Sequence, residues 1–153
     1  MSIWRPTPQI RVKALGLHWR EGRLLAAEVH DDQGKGKGVR PLGGSVDFGE
    51  HAETAVKREF KEELGLDVLV MAGPIVMENL YDHEGAAGHE VLFIFEVEFP
   101  AEAFADRERI HFREDNGVAG IAGWYALDDL DIESGPALYP SGLKQLLVNA
   151  QRA

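Results

Sequence analysis

A chain of 153 residues, 44% of them hydrophobic, can bury one core and is short for two, so the expectation is a single domain over residues 1–153. The net charge of −10 opposes binding to long nucleic acids, and the absence of cysteine excludes disulfides, thiolate zinc sites and a cysteine nucleophile. No apolar run approaches the roughly 20 residues of a membrane span, and the opening Met-Ser-Ile-Trp-Arg-Pro lacks a signal-peptide core, which makes the cytoplasm the expected location.

From Ile10 to Trp19 the chain is rich in β-formers, REGR offers a glycine-containing turn, and LLAAEVHD reads as the return strand of a hairpin. Residues 31–38, DDQGKGKG, read as a loop before a short strand at Val39 to Leu42. Lys35 and Lys37 could make that loop a lid over an anion, although a plain solvated loop explains them as well. Gly43 and Gly44 follow, and then His51 to Leu64 carries no Pro or Gly, is dominated by helix formers, and meets Gly65 where a helix would stop.

Beyond the helix, DVLVMA, PIVMENLY and HEVLFIFEVEF read as strands that together supply the middle of a sheet. DHEGAAG reads as a turn, and HEVLFIFEVEF as a long strand with Phe93, Phe95 and Phe99 on one core-facing side. His83 and His89, with acids beside them, match no standard imidazole metal spacing and read as a polar hairpin end. AEAFADRERIHFREDNG is ambiguous, IAGWYAL reads as a strand, and Ser141 would cap a final helix, GLKQLLVNAQR.

The helix carries the chemistry. At 100° per residue, Glu59 and Glu63 lie about 40° apart and Glu62 about 60° to the other side of Glu59, so all three share one arc of about 100°. Val56, Phe60 and Leu64 form the apolar stripe, with Glu63 at its edge, so at least one carboxylate is partly buried. Arg58 can pair with Glu62 one turn on, but one guanidinium does not neutralise three carboxylates. Oxygen-only ligands on a rigid element suit Mg²⁺ or Mn²⁺ better than zinc, although a glutamate-rich helix is also commonly just a solvated face. Arg40, just before the glycines, could reach a phosphate, although a solvated strand-end Arg explains it as well.

The stretch from Gly44 to Leu66 resembles the 23-residue signature of the Nudix hydrolases: Gly44, five residues, Glu50, seven residues, then Arg58-Glu59-Phe60-Lys61-Glu62-Glu63-Leu64-Gly65-Leu66. At average residue usage the chance of such a match is on the order of 10⁻⁷. Trp124 to Leu130 is similar to the family's late tryptophan strand and acidic segment. Two departures are mild: the usual Leu-Pro before the glycines is inverted to Pro41-Leu42, and Asp47 stands where Glu is commoner.

The resemblance implies an α/β fold, an α/β/α sandwich around a central mixed sheet, and metal-dependent cleavage of the diphosphate linkage in a nucleoside diphosphate joined to another moiety. Carried over by position, Glu59, Glu62 and Glu63 with the Gly44 backbone would be the metal ligands, Glu59 or Glu63 the base, Arg58 would orient a carboxylate, and Glu50 would support the metal ligands from behind. A further ligand could come from Glu114 or Glu90, although both are also explicable as surface acids. The partner would be a small nucleotide-type diphosphate, with neither membrane nor long nucleic acid, and dimers are frequent in the family.

The family's dinucleoside-polyphosphate and ADP-ribose markers fall at His83 and at Tyr81 or Asp82, where neither expected residue stands, which tilts the choice towards a nucleoside triphosphate or another small nucleotide. ADP-ribose and dinucleoside polyphosphates remain alternatives, as does a catalytically silent nucleotide sensor. Isoprenoid diphosphate isomerase chemistry is set aside because it leans on a cysteine.

Overall fold

The computed structural model describes residues 3–114 and 117–152. Met1, Ser2, Asp115, Asn116 and Ala153, and with them parts of the opening stretch and of the ambiguous 101–117 stretch, lie outside the described residues. The order is β1 (Ile10–Leu17), β2 (Trp19–Arg20), β3 (Arg23–His30), β4 (Gly36–Arg40), β5 (Leu42–Ser45) and α1 (Ala52–Leu64). There follow β6 (Leu69–His83), β7 (Ala86–Glu98), β8 (Arg109–Arg113), β9 (Ala119–Ala126), a 3₁₀ turn (Leu127–Asp129), β10 (Ala137–Leu138) and α2 (Leu143–Arg152).

Two sheets result. One runs β5-β1-β7-β6 and is mixed, because β1 and β7 are parallel. The other runs β10-β4-β3-β9-β8, with β2 paired to β3.

Side-chain alternation sends neighbouring residues of one strand into opposite cores. Ala14, Leu25 and Phe95 pack with Ala55, Val56 and Phe60 of α1, whereas Leu15, Leu24 and Ile94 pack with Leu143 and Leu147 of α2. The sheets are therefore a middle layer between two helices, an α/β/α arrangement. Phe60 seats α1: a Cβ on Gly16 of β1 would stand 2.5 Å from its ring, so the glycine makes room for the side chain. Burying such a ring contributes about 1.5–3 kcal/mol.

Helix α1 starts from an extended His51, whose carbonyl accepts the Ala55 N–H at 2.9 Å, and stops at Gly65, left-handed at φ 72°. This agrees with the boundaries expected from the sequence.

Other expectations are corrected. The hairpin before the loop is β2–β3 around Glu21-Gly22, while β1 passes to the other sheet to pair β5 and β7. The 31–38 loop is shorter than expected: Asp31 Oδ1 accepts the N–H groups of Gln33 and Lys35, and β4 begins at Gly36. Lys37 is thus a strand residue whose Nζ lies 3.2 Å from His83 Nδ1, which removes it from any lid.

DVLVMA and PIVMENLY merge into one strand, β6, bulged between Val70 and Ile75, and it is an edge strand rather than a central one. Helix α2 begins at Leu143, so Ser141 lies one residue short of the capping position.

Candidate active site

Arg58, in the middle of α1, holds the site together. Its Nε and Nη2 donate to the two oxygens of Glu50 at 2.8 and 2.9 Å, a bidentate fork. Nη2 also donates to the Ser45 carbonyl at 3.0 Å and stands 3.5 Å from Asp47, so one guanidinium ties β5 and the following loop to the helix. Its remaining nitrogen, Nη1, donates to Glu59 Oε1 at 3.0 Å and to Glu62 Oε2 at 3.3 Å.

The electrostatics follow from these contacts. The Arg58 hydrogen bonds, helped by the Asp47 N–H, hold the Glu50 carboxyl down at about 2. Glu50 in turn keeps the Arg58 guanidinium above its ordinary range.

The buried carboxylate anticipated on the helix is Glu59, only 1% exposed; Glu63 is half-buried and Glu62 exposed. Glu59 is buried because its head lies against Gly44, where a Cβ would come within 2.3 Å of its Cδ. The other glycine of this corner, Gly43, has φ 153°, and a Cβ there would stand 2.0 Å from the Ala14 carbonyl oxygen. Both glycines are therefore required by close approach.

Among the described residues no three His, Asp or Glu side chains converge as a ready metal site. The donor set nevertheless fits a hard dication. It is all oxygen, Arg58 draws Glu59 and Glu62 together through one nitrogen, and the Glu59 carboxylate lies directly against the glycine at residue 44.

The remaining sequence candidates separate. Glu90 is not a surface acid: it is 3% exposed, 3.0 Å from Lys13 Nζ, and accepts a hydrogen bond from Asn79 Nδ2 at 3.1 Å. It lies on the side of β7 that carries Leu92 and Ile94, away from α1. Glu114 is exposed at the β8–β9 turn, its N–H bonded to the Val118 carbonyl. Arg40 is half-buried at the end of β4, where its charge acts on Lys13 and Glu90.

His89 pairs with Glu78 at 3.1 Å and His83 faces Lys37, so the two histidines form no joint site. Phe95 and Phe99 are buried and Phe93 packs against them, as core residues.

Sequence reasoning missed Arg11 and Lys13. Both sit in an otherwise apolar strand, and their partners, Ser45 and Glu90, are 34 and 77 residues away. No local pattern signals such a pairing.

The NUDIX domain family model matches residues 7–146. Among solved structures, the chain is similar to the MutT NUDIX hydrolase from Burkholderia pseudomallei, at 25% identity and TM-score 0.60, over 92% of this chain and 98% of that one. It shares the fold of the E. coli ORF135 protein at 20% identity and TM-score 0.62, covering 95% and 92% of the two chains. An ADP-ribose pyrophosphatase from Streptococcus suis has the same fold at 20% identity and TM-score 0.52, covering 95% and 94%. Among curated proteins, none matches.

Proposed function

Because the chain belongs to the NUDIX domain family and is a hydrolase of that type, we propose that it is a divalent-metal-dependent pyrophosphohydrolase cleaving the diphosphate linkage of a nucleoside diphosphate joined to another moiety. The preferred substrate class is a nucleoside triphosphate or another small nucleotide. ADP-ribose, the substrate named for one of the structures sharing this fold, is the alternative.

The observation that carries the reading is the Glu50–Arg58–Glu59 chain of contacts ending against Gly44. Glu59, Glu62, Glu63 and the Gly44 carbonyl would hold Mg²⁺ or Mn²⁺. That ion, when bound, supplies charge neutralisation for the phosphates and a lowered pKa for water.

The protein's own groups do the rest. Glu50 fixes Arg58 by its fork, and Arg58 fixes the buried Glu59 and collects the exposed Glu62. A carboxylate of the set, Glu63 or Glu59, accepts the proton of the attacking water. Water attacks one phosphorus, the bridging oxygen leaves with the other phosphate, and two phosphate-ended products result.

The presence of all three glutamates favours catalysis over silent nucleotide sensing. Cytoplasmic location and a single domain belong to the same proposal; among the described residues no helix is long and apolar enough to cross a membrane. The test is product analysis with purified nucleotides. Release of phosphate or pyrophosphate that requires Mg²⁺ or Mn²⁺ and is lost in Glu63→Gln supports the reading, and metal-independent release contradicts it.

A further inference from the structure

Where β1 ends at Leu17 and the chain crosses into β2, a cleft of about 380 Å³ opens between that crossover, the end of β7 and the loop after it. His18 lines it, four residues along from Ala14, the partner of Gly44, which is roughly 13 Å at the rise of a strand. The cleft is large enough for a small molecule.

Its wall is built around His18. The imidazole stacks on Phe99, with ring centroids 3.7 Å apart and planes 5° from parallel, and meets Trp124 edge-on at 5.4 Å. Two rings thus fix its plane, and one hydrogen bond fixes its proton. Nδ1 lies 3.2 Å from the Val97 carbonyl, which can only accept, so Nδ1 carries the hydrogen and Nε2 keeps a lone pair. Burial holds the ring below its ordinary range, so it is neutral at pH 7. Among the described residues nothing donates to Nε2.

The one cation in the lining is already engaged. The Arg20 guanidinium lies 4.0 Å over the Trp124 ring, its Nη1 donates to the Phe104 and Arg107 carbonyls, and its Nη2 stands 3.6 Å from Glu108. Glu96, Glu98 and Glu102 also line the cleft, all exposed, and make no hydrogen bond or ion pair with the described residues. The charged side chains left unpaired are therefore all carboxylates, and the imidazole between the aromatic rings accepts. Leu17, Trp19 and Met71 add apolar surface.

We propose that this cleft binds a small amine in its ammonium form, carried on an apolar stem, with His18 Nε2 and the carboxylates accepting its N–H groups. The stem lies along Leu17, Met71 and Phe99, and the aromatic faces favour a cation beside them. An anion would meet three carboxylates, and no three His, Asp or Glu groups among the described residues converge to hold a metal ion. The site goes beyond the diphosphate-hydrolase reading and does not depend on it.

The experiment is calorimetric titration of n-butylammonium into the whole protein at neutral pH, with n-butanol and butyrate as neutral and anionic probes of similar stem. Binding is located by NMR from the His18 ring and the amides of residues 96–103. Butylammonium binds saturably and shifts those signals, butanol binds on the order of tenfold more weakly, and butyrate does not bind. Joint replacement Glu96→Gln and Glu98→Gln, at two exposed positions that the fold does not need, weakens butylammonium on the order of tenfold. His18→Phe, which keeps a ring on Phe99 and loses the acceptor, weakens it likewise. The proposal is overturned by absence of saturable butylammonium binding, by equal affinity for the three probes, by equal affinity in wild type and the double variant, or by shifts confined to other residues.

Discussion

The carboxylate of Glu59 lies against the α-carbon of Gly44: a methyl group at residue 44 would stand 2.3 Å from its Cδ and 2.5 and 2.6 Å from its oxygens. One glycine hydrogen therefore decides where the buried glutamate ends. Gly44→Ala should push the Glu59 head away from Arg58 and lower turnover at least about tenfold with little change in stability, because only the end of a side chain must shift. Gly43→Ala meets the main-chain oxygen of Ala14 at 2.0 Å and should instead cost about 2 kcal/mol or more. Denaturant melts and turnover rates on the two variants separate these effects.

Arg58→Lys keeps a positive charge and loses the fork. The ammonium cannot grip both Glu50 oxygens and still reach the Ser45 carbonyl, Glu59 and Glu62. A stability loss of about 1–3 kcal/mol should accompany a larger loss of kcat than of substrate affinity. Wild-type turnover in the variant would remove Arg58 from the account.

Much of this site was legible because it is local. Helix α1, its stop at Gly65 and the Arg58–Glu62 pair follow from one-turn spacing, whereas the Glu50–Arg58 fork was not read, because Glu50 lies in the loop before the helix, outside its periodicity. What could not be read depends on strand order. Glu90 looked like a surface acid because nothing near it in sequence announces Lys13, which β1 brings alongside only by running parallel to β7. Likewise β1 and β2 read as one strand, since no residue between them marks the change of sheet, and β6 read as central because its alternation does not reveal an unpaired edge. Arg40 was singled out for phosphate, but its position beside Lys13 needed the turn from β4 into β5.

The Glu50–Arg58 fork sets a pH dependence of stability. With its folded value held at about 2, Glu50 contributes stability that is fully present above the ordinary carboxyl value of about 4.5 and is lost as pH falls towards 2. Glu50→Gln should therefore be less stable than wild type at pH 7, with the gap closing between about pH 4.5 and pH 2. Urea melts of both proteins across that range test the sign, and a gap that widens on acidification contradicts it.

Metal binding should register without any substrate. An ion that binds only the folded chain stabilises it by about 2.7 kcal/mol at a hundred times its dissociation constant, roughly 5–10 °C in Tm for a chain of this size. Adding Mg²⁺ or Mn²⁺ to chelator-treated protein should raise Tm by that order, and Glu59→Gln should remove most of the rise. Equal shifts in both proteins would place the ion elsewhere.

The central claim is that Glu59, Glu62 and Glu63 form the metal site of a nucleotide pyrophosphohydrolase. It is tested most directly by phosphate and pyrophosphate release from nucleoside triphosphates, nucleotide sugars, ADP-ribose and dinucleoside polyphosphates, comparing wild type with Glu63→Gln in Mg²⁺, in Mn²⁺ and in chelator. Release should need the metal, be greatest from a nucleoside triphosphate or another small nucleotide, and fall by orders of magnitude in Glu63→Gln while the fold is kept. Undiminished release by Glu63→Gln, or none from any substrate with either metal, would contradict it.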